Sequence, residues 1–467
     1  MAVPYGLAAP FATSLVGGGP AVIIWGWLLV AAFAMTLALS LAEICAKYPT
    51  SAGAYYWCYR LSSPRYRLLT SWINGWLTMV GVWTISLSVT FGTGQLLVAG
   101  VSIFHPEWVA TTWQTYLIFL AVLFFSTAIG IFFSELLPLI DIISACWTLL
   151  GTLIILICVS AKAAVGRHSA AFALGHFDPS PSGWTPGWSF FIGLLPVTYT
   201  FSAIGMIASM AEEVHDPTRQ LPRAITWSIP IGFLTGVFFL LPILFTLPDV
   251  ATLLAVPGGQ PIGVMFEMIM GSKGGGFGMF DGLCLNHSPS LNQWLISEFK
   301  IACTEPFFRA HELFREVFGI GMFCAISICC AASRATWAFA RDKAIPMHNF
   351  FSRVSIVRGL PVPVNGYHLS TAIQLLLGLI YLGSTAAFNA FVGVAVMCLG
   401  ASYAMPVLIS LLNGREAMID SPYPLGRWGF IVNAVAVLWV TFEIVLFSMP
   451  AVIPVTKSSM SVFPPLW

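Results

Sequence analysis

The sequence predicts an all-α, polytopic membrane protein, and three observations support this class. Hydrophobic residues make up 58% of the 467 residues, whereas Asp, Glu, Lys and Arg together make up 8%. A soluble domain carries roughly 25% charged residues, so most of this surface cannot face water. Apolar runs of about 20 residues, enough to cross a bilayer, recur along the chain. The basic residues are also divided unevenly between alternate loops, as in proteins that cross a membrane many times.

The apolar runs place the predicted helices in chain order. They span residues 20–43, 68–100, 113–134, 137–161, 188–211, 224–247, 317–340, 365–386, 388–412 and 428–450. A shorter apolar piece, residues 3–17, precedes them and is too short to cross a bilayer. Before the run at 317–340 lies a polar segment, 281–316, which cannot face lipid because its backbone groups would be unpaired there. We expect this segment to loop into water or to pack against protein.

The basic residues predict the orientation of these helices. When each run crosses once, most of the 20 Lys and Arg residues fall at one end of the bundle. Outside that end and the polar segment 281–316, the basic residues are Lys162, Arg167, Lys273 and Lys457. Loops rich in Lys and Arg stay in the cytoplasm, so the basic end is predicted to be cytoplasmic.

Composition and spacing argue against several classes of function. A net charge of +1 supplies no basic field for a nucleic-acid partner. The ten cysteines show no paired C-x-x-C spacing, so no metal or cofactor site is expected. No nucleophile–base pair or metal cluster indicates a membrane enzyme, and no repeated pore-lining motif indicates a channel.

The segment Phe190–Arg223 is the strongest candidate for a functional site. Its centre is rich in hydroxyl-bearing and small residues, namely Thr198, Tyr199, Thr200, Ser202 and Gly205. A helix interrupted there would free backbone groups near the middle of the membrane, where transporters hold substrates and ions. The alternative is a continuous helix whose small residues mediate packing against other helices. The spacing alone leaves both structures open.

Charged residues follow this segment at its predicted cytoplasmic end. Glu212 and Glu213 are adjacent, so on a helix they point about 100° apart and do not converge on one ligand. Arg219 and Arg223 lie shortly after them. We expect these four residues to form a gating ion pair or a solvated helix end, and we expect no catalytic residues.

Three segments carry a resemblance to a known family: SLAEICAKYPTSAGAYYW (Ser40–Trp57), SMAEEVHDPTRQLPRAI (Ser209–Ile225) and SRATWAFARDKAIP (Ser333–Pro346). They resemble segments of the amino acid–polyamine–organocation permeases, and FSMPAVIPVTKSSM (Phe447–Met460) resembles the fungal branch with GABA and choline permeases. The resemblance covers nearly the whole chain except 281–316 and the last few residues.

The resemblance implies a leucine-transporter-like fold of two five-helix repeats that are inverted in the membrane plane. Residues 1–467 would form one transmembrane permease domain, with a partial first repeat at 1–161 and a second repeat at 188–412 that contains the insert 281–316. An additional helix would occupy 428–450. Relative to the family pattern, the first helix is expected to be truncated to its outer half and the twelfth to be absent.

The resemblance also implies a function and a site. It implies alternating-access transport of amino acids or related amines such as GABA, choline or polyamines, coupled to H⁺ or Na⁺, in a plasma or vacuolar membrane. The substrate-binding residues it implies are Tyr199, Thr200, Phe201, Ser202, Ala203 and Gly205, with Trp83 and Ser86 of the third helix facing the same cavity. The alternative hypothesis is a truncated or mis-spliced, transporter-derived protein without transport activity.

Overall fold

The structure, a computed structural model, describes residues 3–105, 108–212, 214–256, 260–271, 310–383 and 387–454. Eighteen α-helices occupy most of these residues, in keeping with the predicted all-α class. In chain order they are α1 (Val3–Ala8), α2 (Phe11–Gly17), α3 (Pro20–Lys47), α4 (Ala54–Leu61), α5 (Arg67–Phe104), α6 (Thr112–Phe132), α7 (Leu137–Lys162), α8 (Ala170–Gly175), α9 (Pro186–Ile192), α10 (Leu195–Phe201), α11 (Pro217–Phe245), α12 (Val250–Leu254), α13 (Ile262–Met270), α14 (Ala310–Arg341), α15 (His348–Phe351), α16 (Val364–Gly378), α17 (Ala387–Leu412) and α18 (Gly429–Phe447).

Shorter elements connect these helices. The 3₁₀ turns span Ser134–Leu136, Ser180–Ser182, Ile204–Met210, Leu379–Leu382, Glu416–Met418 and Gly426–Trp428. A two-stranded antiparallel hairpin, β1 (Ser355–Val357) and β2 (Leu360–Val362), was not predicted. Its two turn residues, Arg358 and Gly359, both have positive φ, the backbone conformation that a tight hairpin turn requires.

Nine helical segments of the described residues are long and apolar enough to cross a membrane. They are Pro20–Lys47, Arg67–Ser102, Thr112–Phe132, Ser134–Ala161, Pro186–Met210, Pro217–Phe245, Glu316–Arg341, Asn389–Leu412 and Gly426–Phe447. Nine of the predicted runs match these segments, which confirms a polytopic membrane protein. The run predicted at 365–386 instead forms the 15-residue helix α16 and the turn Leu379–Leu382. The predicted inverted repeat stays a prediction.

The core lies between the long helices, and apolar side chains also cover the outside. α5 packs against α17, α14, α4 and α6, while α3 packs against α11 and α18. Large apolar side chains such as Trp227, Leu376 and Leu438 are more than 60% exposed on the outer surface. A soluble monomer rarely exposes so much apolar surface, but lipid tails can cover it.

The N-terminal apolar piece forms two short helices. α1 ends at Ala8 and α2 begins at Phe11, so the chain is interrupted around Pro10, which has no N–H for a helical hydrogen bond. All six residues of α1 are buried, against α10, α14 and α11. The short N-terminal piece is therefore part of the core that surrounds the candidate site.

Most of the polar segment 281–316 lies outside the described residues. Its last residues, from Ala310, belong to α14, so this spanning helix begins before the predicted start at 317. Glu316 is buried, and its backbone oxygen accepts a hydrogen bond from Trp147 on α7 at 3.3 Å. The end of the predicted insert therefore packs against protein.

Candidate functional site

The apolar run 188–211 is broken near its centre. α10 ends at Phe201, and a 3₁₀ turn begins at Ile204. The backbone N–H and the side-chain hydroxyl of Ser202 both donate to the Tyr199 carbonyl, at 3.2 and 2.8 Å. A serine that bonds to nearby backbone in this way competes with regular helical hydrogen bonds. Of the two structures that the spacing left open, the described residues form the interrupted helix.

Gly205 lets the segment after the break approach α17. A Cβ added at Gly205 would overlap the ring of Tyr403, which is itself buried. The Tyr403 ring therefore occupies the space that a side chain at this position would need. Ala203 lies in the break, half-buried against the core.

Hydroxyl groups from three helices meet beside the break. The Tyr199 hydroxyl lies 2.8 Å from the Ser88 hydroxyl on α5. The Tyr5 hydroxyl on α1 donates to the Val89 carbonyl at 2.7 Å and accepts from Thr93 at 3.4 Å. These five residues are all buried. The hydroxyl groups of Tyr5, Ser88, Thr93 and Tyr199 form a polar cluster inside an otherwise apolar bundle. We call it the hydroxyl cluster.

The other predicted residues of the break face neighbouring helices. The Thr200 hydroxyl donates to the Pro196 carbonyl at 2.9 Å. A Cβ added at Gly6 on α1 would lie 2.7 Å from the same Thr200 oxygen, so α1 and α10 are in close contact. The Phe201 ring stacks on Trp27 of α3, with 4.7 Å between ring centroids.

The two predicted residues of α5 bond to α14 in the structure. The Trp83 indole donates to the Thr336 hydroxyl at 3.0 Å, and the Ser86 hydroxyl lies 3.5 Å from the Cys329 sulfur. The contact between α5 and the break is made by Ser88, which is two residues further along the chain. Sequence reasoning missed Ser88, Thr93 and Tyr5. A hydroxyl-rich stretch from Thr84 to Thr93 was the available signal for the first two.

Glu212 joins three parts of the chain at the basic end. Its carboxylate accepts hydrogen bonds from the Ser51 hydroxyl at 2.5 Å and from Arg341 of α14 at 3.1 Å. Partial burial raises the pKa of Glu212, but these hydrogen bonds and the charges of Arg341 and Arg334 outweigh it, so its pKa falls below the ordinary value. The carboxylate is therefore ionised at neutral pH. Its charge helps to hold the end of the segment Pro186–Met210 against the end of α14.

Tyr55 adds a second contact beside this ion pair. Its hydroxyl donates to the Asp342 carboxylate at 2.9 Å. Burial, and then the neighbouring Asp342 charge, raise the pKa of Tyr55, so it remains a hydrogen-bond donor. We call Ser51, Tyr55, Glu212, Arg341 and Asp342 the basic-end contact.

The other predicted gating residues lie apart from this contact. Arg219 approaches Asp216, three residues earlier, at 3.9 Å, and both side chains are more than half exposed. Arg223 is exposed on α11. Glu213 lies outside the described residues. Across the described ranges, no group of three or more His, Cys, Asp and Glu side chains could hold a metal ion.

The sequence model of the "Amino acid permease" family matches residues 1–296 and 317–467. The chain is 32% identical over 471 residues to the amino-acid permease BAT1 homolog of Oryza sativa subsp. japonica, covering 98% of this chain and 84% of the relative. It is 29% identical over 462 residues to the choline transporter of Saccharomyces cerevisiae, covering 98% and 74%. It is 28% identical over 464 residues to the polyamine transporter TPO5 of the same yeast, covering 98% and 69%.

Proposed function

Because the chain belongs to the amino acid permease family, we propose that it carries amino acids or related small amines across a membrane by alternating access around the break after α10. Relatives are named for amino acids, choline and polyamines, so the substrate class comes from them. The family is one of transporters, and the protein is accordingly a multi-pass membrane transporter and not an enzyme. The plasma and the vacuolar membrane both stay predicted locations.

The observation that carries the proposal is the break between Phe201 and Ile204, beside the buried hydroxyl cluster. An interrupted helix leaves backbone N–H and C=O groups without helical partners. In transporters such groups hold the charged and polar parts of a substrate at mid-membrane. Ser202, Ala203 and Gly205 would supply backbone groups, while Tyr199 and Thr200 would supply hydroxyls.

Contacts at both ends of the bundle support alternating access. At the basic end, Glu212 and Arg341 join the segment after the break to α14. At the opposite end, Ser14 of α2 donates to the Gly193 carbonyl at 2.8 Å, and Ser189 of α9 donates to the Gly17 carbonyl at 2.7 Å. Opening one set of contacts while the other holds would expose the break to one side of the membrane at a time. Coupling to H⁺ or Na⁺ would give this motion its direction.

Uptake into liposomes tests this proposal. The purified full chain is reconstituted and offered labelled amino acids, GABA, choline and polyamines, with protein-free liposomes as the control. We expect saturable uptake of at least one substrate. Uptake of none of them would contradict the proposal and favour the alternative of a transporter-derived protein without activity.

Variants at the break then test the site. Tyr199→Phe with Ser88→Ala removes the hydrogen bond between α10 and α5, and we expect at least a tenfold loss of uptake. Tyr66→Phe is the matched control, because Tyr66 is about half exposed at the start of α5 and lies far from the break. Equal uptake by both variants would place the substrate site elsewhere.

A further inference from the structure

A buried carboxyl group, Glu443 of α18, lies in a cavity behind the broken helix. The residue is 6% exposed, and α18 lies within Gly426–Phe447, a described segment that is long and apolar enough to cross a membrane. The cavity is bounded by α3, by the end of α10 with the following turn, by α17 and by α18. Its lining residues are Val30, Ala34, Leu37, Thr198, Phe201, Ser202, Ile204, Val396, Gly400, Tyr403, Trp439 and Glu443.

Among the residues that the structure describes, no basic side chain lines this cavity. Trp439, one turn earlier on α18, gives Glu443 a hydrogen bond, and Tyr403 is the other titratable group of the lining. An ionised carboxylate without a positive partner costs several kcal/mol in a low-dielectric interior, and a protonated carboxyl group avoids that cost. A membrane-buried acid of this kind is usually part of an ion or proton pathway.

Charged groups on the surrounding helices lie far from Glu443. α9 contains no titratable residue, the titratable residues of α17 are Cys398 and Tyr403, and Tyr199 of α10 bonds to α5. On α3, Glu43 and Lys47 lie at the basic end, and Glu43 is paired with Arg415. Arg427 precedes α18 by two residues and is about 24 Å along the helix from Glu443 at 1.5 Å per residue. None of these groups neutralises the Glu443 charge.

The cavity is suited to water and not to an organic substrate. The volume in which the centre of a water molecule fits is about 30 Å³. A single water needs roughly 10–15 Å³ by the same measure. Within the part of the chain that the structure describes, the Thr198 hydroxyl is buried without a hydrogen-bond partner. The Tyr403 hydroxyl lies near the Met206 backbone without forming a well-aligned hydrogen bond. Two buried hydroxyls and a carboxyl group are the polar partners that an internal water requires.

We propose that Glu443 is the proton-binding group of the transport cycle, which rests on the proposed function and gives its coupling ion as H⁺. Phe201 and Ser202 belong both to the break and to the cavity wall. A movement of the broken helix therefore changes how many waters reach Glu443. The carboxylate takes a proton from water when the cavity is open to one side, and the carboxyl group returns it to water when the cavity opens to the other.

Transport assays on Glu443→Gln test this role. Glutamine keeps the size and the hydrogen-bonding capacity of the protonated acid but cannot release a proton. In liposomes we expect exchange of labelled for unlabelled substrate to stay within about twofold of wild type. Accumulation driven by an imposed proton gradient should be lost. Glu416→Gln, which removes an exposed carboxylate at the basic end, should leave both activities unchanged.

The outcomes separate this proposal from its alternatives. Gradient-driven accumulation by Glu443→Gln at the wild-type level would overturn the assignment. A second outcome is that wild-type accumulation follows a sodium gradient and is lost in Glu443→Gln. That outcome would overturn the assignment of H⁺ as the coupling ion and would favour a cation site. If Glu443→Gln does not fold, Glu443→Asp keeps the acid and should shift the pH dependence of uptake. An unchanged pH dependence would contradict the proposal.

A spectroscopic measurement makes the assignment independent of substrate. Infrared difference spectra of the full chain in lipid, recorded as the pH is stepped, should show the carbonyl stretch of a protonated carboxyl group that titrates in wild type. The band should be missing in Glu443→Gln. If wild type transports nothing, the proposed function fails, and this band alone decides the protonation of Glu443. Difference spectra that are the same in wild type and Glu443→Gln would overturn the proposal.

Discussion

Single residues decide the shape of the break. Ser202 turns its hydroxyl back onto the Tyr199 carbonyl, and Gly205 leaves the space that the Tyr403 ring fills. Neither residue could bring about the break alone, because a serine or a glycine within a helix is ordinarily tolerated at a modest cost. The position of the break therefore depends on local hydrogen bonding together with the packing of α17.

Gly205→Ala should destabilise the protein. The added methyl group overlaps the Tyr403 ring, so the ring or the backbone of the break must move, which typically costs about 1–3 kcal/mol. Thermal unfolding in detergent should show a lower Tm, and uptake should fall with it. Gly187→Ala is the matched control, because nothing lies within 4 Å of a Cβ at Gly187. Equal Tm values for wild type and Gly205→Ala would show that the break is not packed this tightly.

Glu212→Gln should change the pH dependence of stability. The pKa of Glu212 is lowered in the folded protein, so its stabilising contribution is present above the ordinary pKa and is lost as the pH falls through the lowered value. The side chain is half exposed, so the contribution at pH 7 should be below about 1 kcal/mol. The stability difference between wild type and Glu212→Gln, followed by Tm, should shrink below about pH 4.

The control for this prediction is Glu416→Gln, in which an exposed carboxylate of the same end is neutralised. We expect its stability difference from wild type to be near zero throughout the same pH range. A difference for Glu212→Gln that stays constant as the pH falls below about 4 would contradict the lowered pKa.

At the scale of elements, long helices carry the bundle and short ones form the site. α5 has 38 residues and is about 57 Å long, which exceeds the bilayer core, so it must tilt or extend into water. Apart from the hydroxyls of α5, the site is built from α1, α10 and the turn Ile204–Met210, each of six or seven residues. Helices this short are unstable alone, so their position depends on the long helices around them.

A buried ion pair attaches the end of α3 to the connection between α17 and α18. Arg415 donates to both carboxylate oxygens of Glu43, at 2.7 and 2.6 Å, and the Leu425 N–H also donates to Glu43 at 2.9 Å. The Glu43 side chain is 1% exposed. A buried carboxylate with this many donors is stable only while its charged partner remains.

Arg415→Ala should therefore cost about 3–5 kcal/mol, because it leaves the Glu43 charge buried and unpaired. The double variant Glu43→Ala with Arg415→Ala should be more stable than Arg415→Ala alone. Tm and the yield of monodisperse protein in detergent measure both effects. Arg427→Ala, which removes an exposed arginine of the same connection, is the control and should be nearly neutral. A double variant that is no more stable than Arg415→Ala would argue against this pair.

At the scale of the whole molecule, basic residues from separate loops gather at one end. Lys47 bonds to the Ala417 carbonyl, Arg415 pairs with Glu43, and Arg341 pairs with Glu212. Lys162 ends α7, and Arg167 lies in the following connection, whose Ala164 bonds to Ile269 of α13. The packing thus collects at one end the residues that the positive-inside rule assigns to the cytoplasm.

Epitope tags test this orientation. A tag inserted at Gly414, in the connection after α17, should be reached by antibody only after the cells are permeabilised. A tag at Gly166, in the connection after α7, should be reached from the opposite side of the same membrane. Both glycines have positive φ and open space around them, so insertions there should be tolerated. Labelling of both tags from the same side would contradict the predicted topology.

Hydropathy and charge predicted the spanning helices well because both are carried by consecutive residues. α3, α6, α7 and α17 begin and end within about four residues of the predicted runs. The division of 188–211 was visible as an alternative, since Thr200, Ser202 and Gly205 stand out in an apolar run. The change from α-helix to a 3₁₀ turn within 365–386 was not visible, because its apolar residues continue beyond the end of α16.

The sequence by itself determined that this chain is a helical membrane protein of the permease family and which end carries its positive charge. It marked 188–211 as a candidate for an interrupted helix but left a continuous helix open. Only the tertiary structure decided which polar groups meet. Ser88 and Tyr199 are 111 residues apart, and Tyr5 and Val89 are 84 apart. Glu443 joins the break only through the packing of α18 and α17. Hydropathy depends on neighbours in sequence, whereas a buried hydrogen bond or cavity depends on which helical faces fit together, and that fit is a property of the whole bundle.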